Sequence, residues 1–420
     1  MSETLVRETR ALGAEDIPLA QIDVSKPRLF QDDTIGEYFA RLRREDPIHF
    51  CPDSPYGPYW SLTKFNDIMR VEVDHQTFSS EAKLGGISIQ DMHSAEGALE
   101  LEMFIAMDPP KHDAQRLAVS PVVAPSNLTK LEPVIRERAG KILDSLPVGK
   151  EIDWVDLVSI ELTTMTLATL FDFPWEERRK LTRWSDVATA TPESGVVSSF
   201  EQRREELIEC GMYFKKLWDE RISQPPKHDL ISMMVHSPTT RDMPFLEFLG
   251  NLMLLIVGGN DTTRNSISGG VLALNQNPGE YRKLMNSQSL VPNMVSEIIR
   301  WQTPLTHMRR TALADVEIGG KTIKKGDKVV MWYLSGNRDE EAIERANQFI
   351  IDRPNARHHL SFGFGVHRCM GNRLAELQLR IIWEEILKRF KKVEVVGEPQ
   401  RSYSNFIRGF TYLPVKLHPN

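Results

Sequence analysis

The chain has 420 residues, of which 41% are hydrophobic and 26% are charged, and its formal net charge is -6. These values are typical of a globular protein with a large core, and the mildly acidic charge argues against a general nucleic-acid binder. Three scattered cysteines indicate no disulfide framework. No N-terminal segment has the charged start and apolar run of a secretory signal, and the most apolar stretch, 252–259, is too short to span a membrane. We therefore expect a cytoplasmic protein without a nucleic-acid partner or stable membrane insertion.

The predicted elements are mostly helical, with short strands near both ends of the chain. Residues 1–24 look loosely ordered, a helix follows in DTIGEYFARLRRED, and PIHF and YGPYWSLT are predicted strands. Helical patterns then dominate from about Lys111 to Gln302. VEIGGKTI predicts a hairpin, KVVMWYL a strand and NFIRGFTYLPVKL the closing strands. Without a βαβ alternation, the pattern favours a mainly α fold with minor β sheets over a doubly wound sheet.

The longest and most apolar helix is predicted from about Phe245 to Asn275. Its core stripe consists of Leu249, Leu252, Met253, Ile256, Ile267, Val271 and Leu274. GGNDTTRNS interrupts this stripe, and each interior glycine costs a helix about 1 kcal/mol relative to alanine. Two interpretations stay open. The segment is a simple kink, or Gly258 and Gly259 leave room for a bulky group while Thr262 bonds back to a carbonyl and opens the helix.

Cys369 ends the glycine-rich loop SFGFGVHRCMG and stands beside the start of another helix. That helix has an apolar stripe at Leu379, Ile382, Trp383, Ile386 and Phe390. A helix N-terminus stabilises a thiolate. The residues allow a buried structural cysteine, a nucleophile, a zinc ligand with His367, or the single protein ligand of a haem iron. No protease-like or phosphatase-like surroundings support the nucleophile, and zinc lacks a second ligand cluster; one thiolate is enough for haem.

Two other motifs place charged residues on one helical face. Glu297 and Arg300 are three residues apart in EIIR, and His112 and Arg116 are four apart in KHDAQR. Taken alone, the first pair is an ordinary surface ion pair and the second an ordinary solvated face.

Together these motifs resemble the cytochrome P-450 family over nearly the whole chain, from about Asp33 to Pro414. The Cys369 loop matches the haem-binding loop of the family at Phe362, Gly365, His367, Cys369 and Gly371. His367 stands where many members have arginine, but histidine also donates a hydrogen bond. The resemblance implies one haem-thiolate monooxygenase domain over residues 25–420. Haem b would be buried between the long helix and the Cys369 loop, with Cys369 as the axial iron ligand.

The resemblance also implies roles for residues outside this loop. Haem contacts are expected from Gly258, from His112 and Arg116, and from Arg310, for which Arg309 is the competing choice. Asp261 and Thr262 match the acid–alcohol pair that delivers protons. Glu297 and Arg300 match a glutamate–arginine pair that joins Arg353 in a structural cluster beneath the haem.

The implied reaction is monooxygenation, in which one oxygen atom of O2 enters a C–H bond. Three cysteines cannot hold a four-cysteine cluster and no flavin segment is present, so electrons from NAD(P)H should arrive through a separate 2Fe-2S ferredoxin and its reductase. Basic residues near the cysteine-side helix could steer an acidic ferredoxin or simply be a solvated face. They are Arg368, Arg380, Lys388, Arg389, Lys391 and Lys392.

Four segments resemble the bacterial branch of the family that hydroxylates medium-chain alkanes and fatty acids at the terminal carbon. They are LGGISIQ, PLTHMRRTA, the GGNDTTRNS segment of the long helix, and the Cys369 loop with the helix after it. The expected walls of a narrow apolar channel are Ile87, Ile89, Leu254, Leu305, Met308 and Phe406. Such a channel must admit only the end of the substrate chain to the iron, because a primary C–H bond is harder to attack than the neighbouring C–H bonds. A terpene or steroid hydroxylase, a peroxygenase and a non-enzymatic haem sensor stay as alternatives, although Asp261 and Thr262 argue against a peroxygenase.

Overall fold

The computed structural model describes residues 13–92, 99 and 101–420, and helix dominates it. The helices are α1 Pro27–Gln31, α2 Ile35–Glu45, α3 Phe65–Val73, α4 Lys111–Val119, α5 Pro125–Asp144, α6 Glu161–Phe171, α7 Arg179–Thr189, α8 Phe200–Ile222, α9 Leu230–His236, α10 Phe245–Gln276, α11 Pro278–Asn286, α12 Val291–Gln302, α13 Tyr333–Gly336 and α14 Asn372–Arg389. In the described part of the chain, no helix is both long and apolar enough to cross a membrane.

The strands form small sheets at the edge of the helical body. They are β1 Ile48–Cys51, β2 Tyr59–Leu62, β3 Phe78–Ser79, β4 Glu151–Asp153, β5 Met308–Ala312, β6 Val316–Ile318, β7 Lys321–Ile323, β8 Lys328–Met331, β9 Phe390–Val395, β10 Gln400–Arg401, β11 Phe410–Tyr412 and β12 Pro414–Pro419. The largest sheet has the order β1-β2-β8-β5-β3, and only β2 and β8 in it are parallel. β4-β12-β9 is antiparallel, and β6-β7 and β10-β11 are hairpins.

Helix α10 is the central element of the fold. All seven residues of its predicted stripe are buried, and α10 contacts α6, α7, α8, α12 and α14. Burying one such side chain contributes roughly 1.5–3 kcal/mol, which accounts for a continuous helix in spite of its glycines. Helix α14 packs its predicted stripe against α5, α10 and α12. The loop before α14 is therefore held against the middle of the molecule.

Two sequence expectations differ from the structure. The strand predicted in KVVMWYL ends at Met331, because the chain turns at the buried Trp332 into α13. Loose order was expected up to residue 24. Residues 1–12 lie outside the described residues, but from Ala14 onward this expectation is wrong. Ile22 and Val24 are fully buried in a cluster with Trp332, and burial of these apolar side chains orders the segment.

Candidate active site

A cavity of about 460 Å³, called the main cavity here, lies between α10 and the Cys369 loop. Its volume is in the range of ordinary ligand sites. Cys369, Thr262, Gly258, His112 and Arg310 all border it, although they come from distant parts of the chain. The main cavity therefore brings together most of the residues that the motifs singled out.

The Cys369 loop is held in place by its own backbone and by the end of α3. The Cys369 amide donates to the Phe362 carbonyl at 2.8 Å. Gly365 has a φ of +66°, and a Cβ there would lie 2.5 Å from the Glu72 carbonyl oxygen. Gly365 was predicted as a cofactor contact, but it does not line the main cavity. The requirement for glycine at this position comes from the close approach to α3.

The Cys369 thiol borders the main cavity, yet burial is the largest influence on it and raises its pKa. The amides of Gly371 and Asn372 and the charges of Arg116 and Arg368 act in the opposite direction. The sequence predicted a thiolate stabilised by the helix N-terminus. The amides at the start of α14 thus act on the thiol in the direction that was predicted, and Cys369 is exposed towards the main cavity, so a thiolate at this position stays a prediction. A coordinated cation would supply the missing stabilisation, because metal-bound thiols are deprotonated.

Buried nitrogen atoms lie at the edge of the main cavity, and they have no hydrogen-bond partner in the part of the chain that the structure describes. They are Nε2 of His112 and both ring nitrogens of His367, whose ring centroid is 4.3 Å from that of His112. Burial lowers the pKa of both histidines, that of His367 to about 2, so their rings are neutral near pH 7. An unpaired buried donor costs about 1–3 kcal/mol. These positions therefore favour a bound group that carries hydrogen-bond acceptors.

Two arginines border the main cavity close to these histidines. Arg116 Nη2 donates to the Arg368 carbonyl at 2.5 Å, which ties α4 to the Cys369 loop. Arg310 Nη2 donates to Glu72 Oε1 at 3.3 Å, and the Tyr333 hydroxyl donates to the same carboxylate. Arg309, the competing choice for Arg310, instead pairs with Asp91 and does not border the main cavity. Glu72 and Tyr333 were not predicted as site residues, because neither is part of a local motif.

These residues fit a haem. Around Cys369 the pocket offers one thiol, the cationic side chains of Arg116 and Arg310, unpartnered imidazole nitrogens and an apolar wall. Cys369 would hold the iron. His112, Arg116, Arg310 and His367 would hold the acidic substituents of the ring. Phe362, Gly258 and Gly371 also border the main cavity, as expected for contacts with the ring itself.

Helix α10 runs through the site without a break. Thr262 Oγ1 donates to the Gly258 carbonyl at 3.1 Å, which is the predicted bond to the preceding turn. A Cβ on Gly258 would have no neighbour within 4 Å, whereas one on Gly259 would lie 2.7 Å from Leu167 Cδ2. Gly258 therefore leaves room in the main cavity. Gly259 also borders the main cavity, as predicted, but the packing of α10 on α6 is a second reason for glycine at this position.

Asp261 does not border the main cavity, although its neighbour Thr262 does. Its carboxylate accepts from Ser185 Oγ at 2.9 Å and pairs with Arg264 at 3.0 Å. Arg264 in turn contacts Asp186 on α7. Burial raises the pKa of Asp261 to about 6, while Arg264 acts in the opposite direction. The structure thus places the acid of the predicted pair behind α10, with a pKa close to neutrality.

Glu297, Arg300 and Arg353 form one buried cluster. Arg300 donates from Nε and Nη2 to the two Glu297 oxygens, each at 2.7 Å, and Arg353 Nε donates to Glu297 Oε2 at 3.0 Å. The Ile350 amide donates to the same carboxylate at 2.8 Å. The cluster does not line the main cavity and joins α12 to the chain that leads into the Cys369 loop.

The rest of the main cavity is mostly apolar. All six expected wall residues border it: Ile87, Ile89, Leu254, Leu305, Met308 and Phe406. Arg203 of α8 also borders it and was missed, because one arginine in a helix carries no distinguishing signal. Its guanidinium donates to the carbonyls of Val187 and Ala188 at 3.1 and 2.7 Å.

Comparisons with known proteins agree with this geometry. The family model described as cytochrome P450 matches residues 188–417. Linalool 8-monooxygenase from Pseudomonas putida is 35% identical over 404 residues, which cover 94% of this chain and 99% of the relative. Methyl-branched lipid omega-hydroxylase from Mycobacterium tuberculosis is 31% identical over 415 residues and 95% of each chain.

Among solved structures, cytochrome P450-153 from Novosphingobium aromaticivorans is 48% identical, with a TM-score of 0.89. The match covers 94% of this chain and 99% of that one. The predicted fold class is therefore confirmed. The chain belongs to the cytochrome P450 family of haem monooxygenases.

Proposed function

We propose that this monooxygenase hydroxylates the terminal carbon of medium-chain alkanes or fatty acids. The observation that carries the proposal is the convergence of the six apolar wall residues on the cavity that also contains Cys369 and Thr262. A 31% identical relative named as an omega-hydroxylase supports the same regiochemistry. Apolar walls would exclude water and hold a flexible chain so that only its end approaches the reacting centre.

A bound haem b would supply the oxygen-reduction and C–H oxidation chemistry. The protein contributes the surroundings of that reaction. Cys369 would hold the iron, and Thr262 would hold a proton at its Oγ1 on the cavity side of α10. Asp261, whose pKa burial raises to about 6, would exchange protons near neutral pH. Because Asp261 faces away from the cavity, its carboxyl group would have to leave Ser185 or Arg264 in order to deliver a proton.

Electrons are proposed to come from NAD(P)H through a ferredoxin and its reductase. Of the six basic residues suggested as its docking surface, Arg380, Lys388, Arg389 and Lys392 are already paired with acidic side chains. Arg368 is exposed next to Cys369, and with Arg373 it borders a shallow depression on that side. This depression offers the shortest approach to the cysteine and is the proposed ferredoxin contact.

Product analysis tests the proposed regiochemistry. The holoenzyme would receive a surrogate ferredoxin, its reductase and NADH, and then octane or a medium-chain fatty acid. A carbon monoxide difference spectrum would establish that the haem-thiolate centre is intact. Mainly 1-octanol or the ω-hydroxy acid is expected, and internal alcohols from an intact enzyme would contradict the proposal.

A second candidate is hydroxylation of a terpene. It is favoured by the relative named linalool 8-monooxygenase, which is 35% identical over nearly the whole chain. The same assay with linalool distinguishes the two candidates. Efficient turnover of linalool without turnover of octane or fatty acid would favour the second.

A further inference from the structure

A second cavity, of about 270 Å³, lies beside the C-terminal part of α10 and is unusually rich in arginine. We call it the arginine cavity. Arg43, Arg338, Arg401 and Arg408 line it, and Asp33 is the only acidic residue among its described lining residues. α2, α10, α12 and the β10–β11 hairpin supply its walls. None of these residues takes part in the site described above.

The charges in this cavity are not balanced by the protein. Arg401 and Arg408 share Asp33, with one 2.8 Å contact to each of its oxygens. Arg338 stacks on the Trp301 ring at 3.6 Å and donates to the Trp301 carbonyl at 3.0 Å. Asp33 and the already paired Glu297 act on its charge from a distance, but Arg338 forms no ion pair of its own among the described residues. Arg43 lies beside Asp339 and Glu340, which offset its charge from outside the lining. The guanidinium groups of Arg338, Arg401 and Arg408 thus face the single carboxylate of Asp33, and the net charge of these four side chains is about +2.

Three donors of the residues that line this cavity are buried and have no hydrogen-bond partner among the described residues. They are Nη1 of Arg338, Nη1 of Arg401 and Nε of Arg408. The Arg401 side chain is 10% exposed and that of Arg408 is 11% exposed, so bulk water does not satisfy these groups. Burial lowers the pKa of Arg401 to about 10, and the neighbouring Arg408 acts in the same direction. Like charges are therefore held together at a cost that an anion would remove.

We propose that the arginine cavity binds a divalent oxyanion of the phosphate type. Guanidinium groups are the preferred partners of such anions, and three donors from three side chains match an acceptor with several oxygens. The ionic charge would neutralise the net charge of the lining. The volume leaves room for the ion together with several waters, each of which takes about 30 Å³.

The position of this site gives the anion a structural consequence. Arg401 and Arg408 stand at the two ends of the loop 402–407, and Phe406 and Ile407 of that loop border the main cavity. An anion held by both arginines would join the two ends of this loop. The anion would contact this loop through Arg401 and Arg408 in the arginine cavity, without entering the main cavity.

The test is calorimetric titration of the holoenzyme with inorganic phosphate at constant ionic strength, with chloride and acetate as monovalent controls. Saturable binding of one phosphate is expected, with much weaker heats for chloride and acetate. Arg401→Gln should weaken binding at least about tenfold, as expected for a lost charged hydrogen bond. Arg241→Gln, which changes an exposed arginine elsewhere, should leave the affinity unchanged.

A second variant, Asp33→Asn, should change the phosphate affinity in the opposite direction. This result does not depend on whether the Arg401 variant folds. Removing the competing carboxylate should tighten phosphate binding at least about fivefold. Asn tolerates the positive φ of 57° at this position. Absence of saturable binding to the wild-type protein, equal heats from chloride, or unchanged affinity in Asp33→Asn would each overturn the proposal.

Discussion

Replacing Asp261 by Asn should make the stability of this protein depend differently on pH. Burial raises the pKa of Asp261 to about 6, from an ordinary value of 3.8. A carboxyl group with a raised folded-state pKa costs no stability below pH 3.8, because it is protonated in both states. The cost grows as the pH rises from about 4 to 6 and is constant above that. At 1.36 kcal/mol for each pKa unit, it reaches about 3 kcal/mol near pH 8.

The asparagine variant does not pay this cost. Its neutral amide differs from the protonated carboxyl group in its contacts with Ser185 and Arg264, and that difference does not change with pH. Its stability relative to the wild type therefore has a fixed offset and a part that depends on pH. From pH 5 to pH 8 the difference in unfolding free energy should move in favour of Asp261→Asn by about 1.4 kcal/mol, from the same two pKa values.

Urea unfolding of the two holoenzymes at pH 5, 6, 7 and 8, followed by far-UV circular dichroism, measures this difference. Asp219→Asn, which changes an exposed carboxylate paired with Lys215, should show no comparable trend. A constant difference between Asp261→Asn and wild type at all four pH values would refute the reasoning. It would mean that Arg264 keeps the carboxyl group ionised down to ordinary acidic pH, in spite of burial and of the neighbouring Asp186.

Three other predictions follow from individual contacts. Glu297→Gln should lower the unfolding free energy in urea by roughly 3–5 kcal/mol, because it leaves buried arginine charges unpaired; a loss below 1 kcal/mol would contradict this. Gly259→Ala should be less stable than Gly258→Ala in the same assay, since only the first Cβ meets Leu167. Arg368→Glu should slow ferredoxin-dependent reduction several-fold at low salt, measured by stopped flow, and less at high salt; an effect independent of salt would exclude the proposed contact.

Local motifs predicted much of the site. The Cys369 loop, the course of α10 and the bond from Thr262 to the Gly258 carbonyl could be read from short segments, because each depends on residues close together in the chain. Glu72 could not be found in this way, since it meets Arg310 across 238 positions of sequence. The separate constraint on Gly259 depends on Leu167, which approaches it only when α6 packs on α10.

In both cavities, buried donors that have no partner among the described residues favour a bound ligand. A folded protein rarely leaves such groups unpaired, because each costs about 1–3 kcal/mol. At the main cavity the groups are neutral imidazoles beside a thiol, which suit a cofactor with acidic substituents. At the arginine cavity they are guanidinium groups with one carboxylate, which suit a free anion. The different chemistry means that haem should not compete with phosphate for one site. A phosphate affinity that fell on haem binding without direct competition would show that the loop 402–407 couples the two cavities.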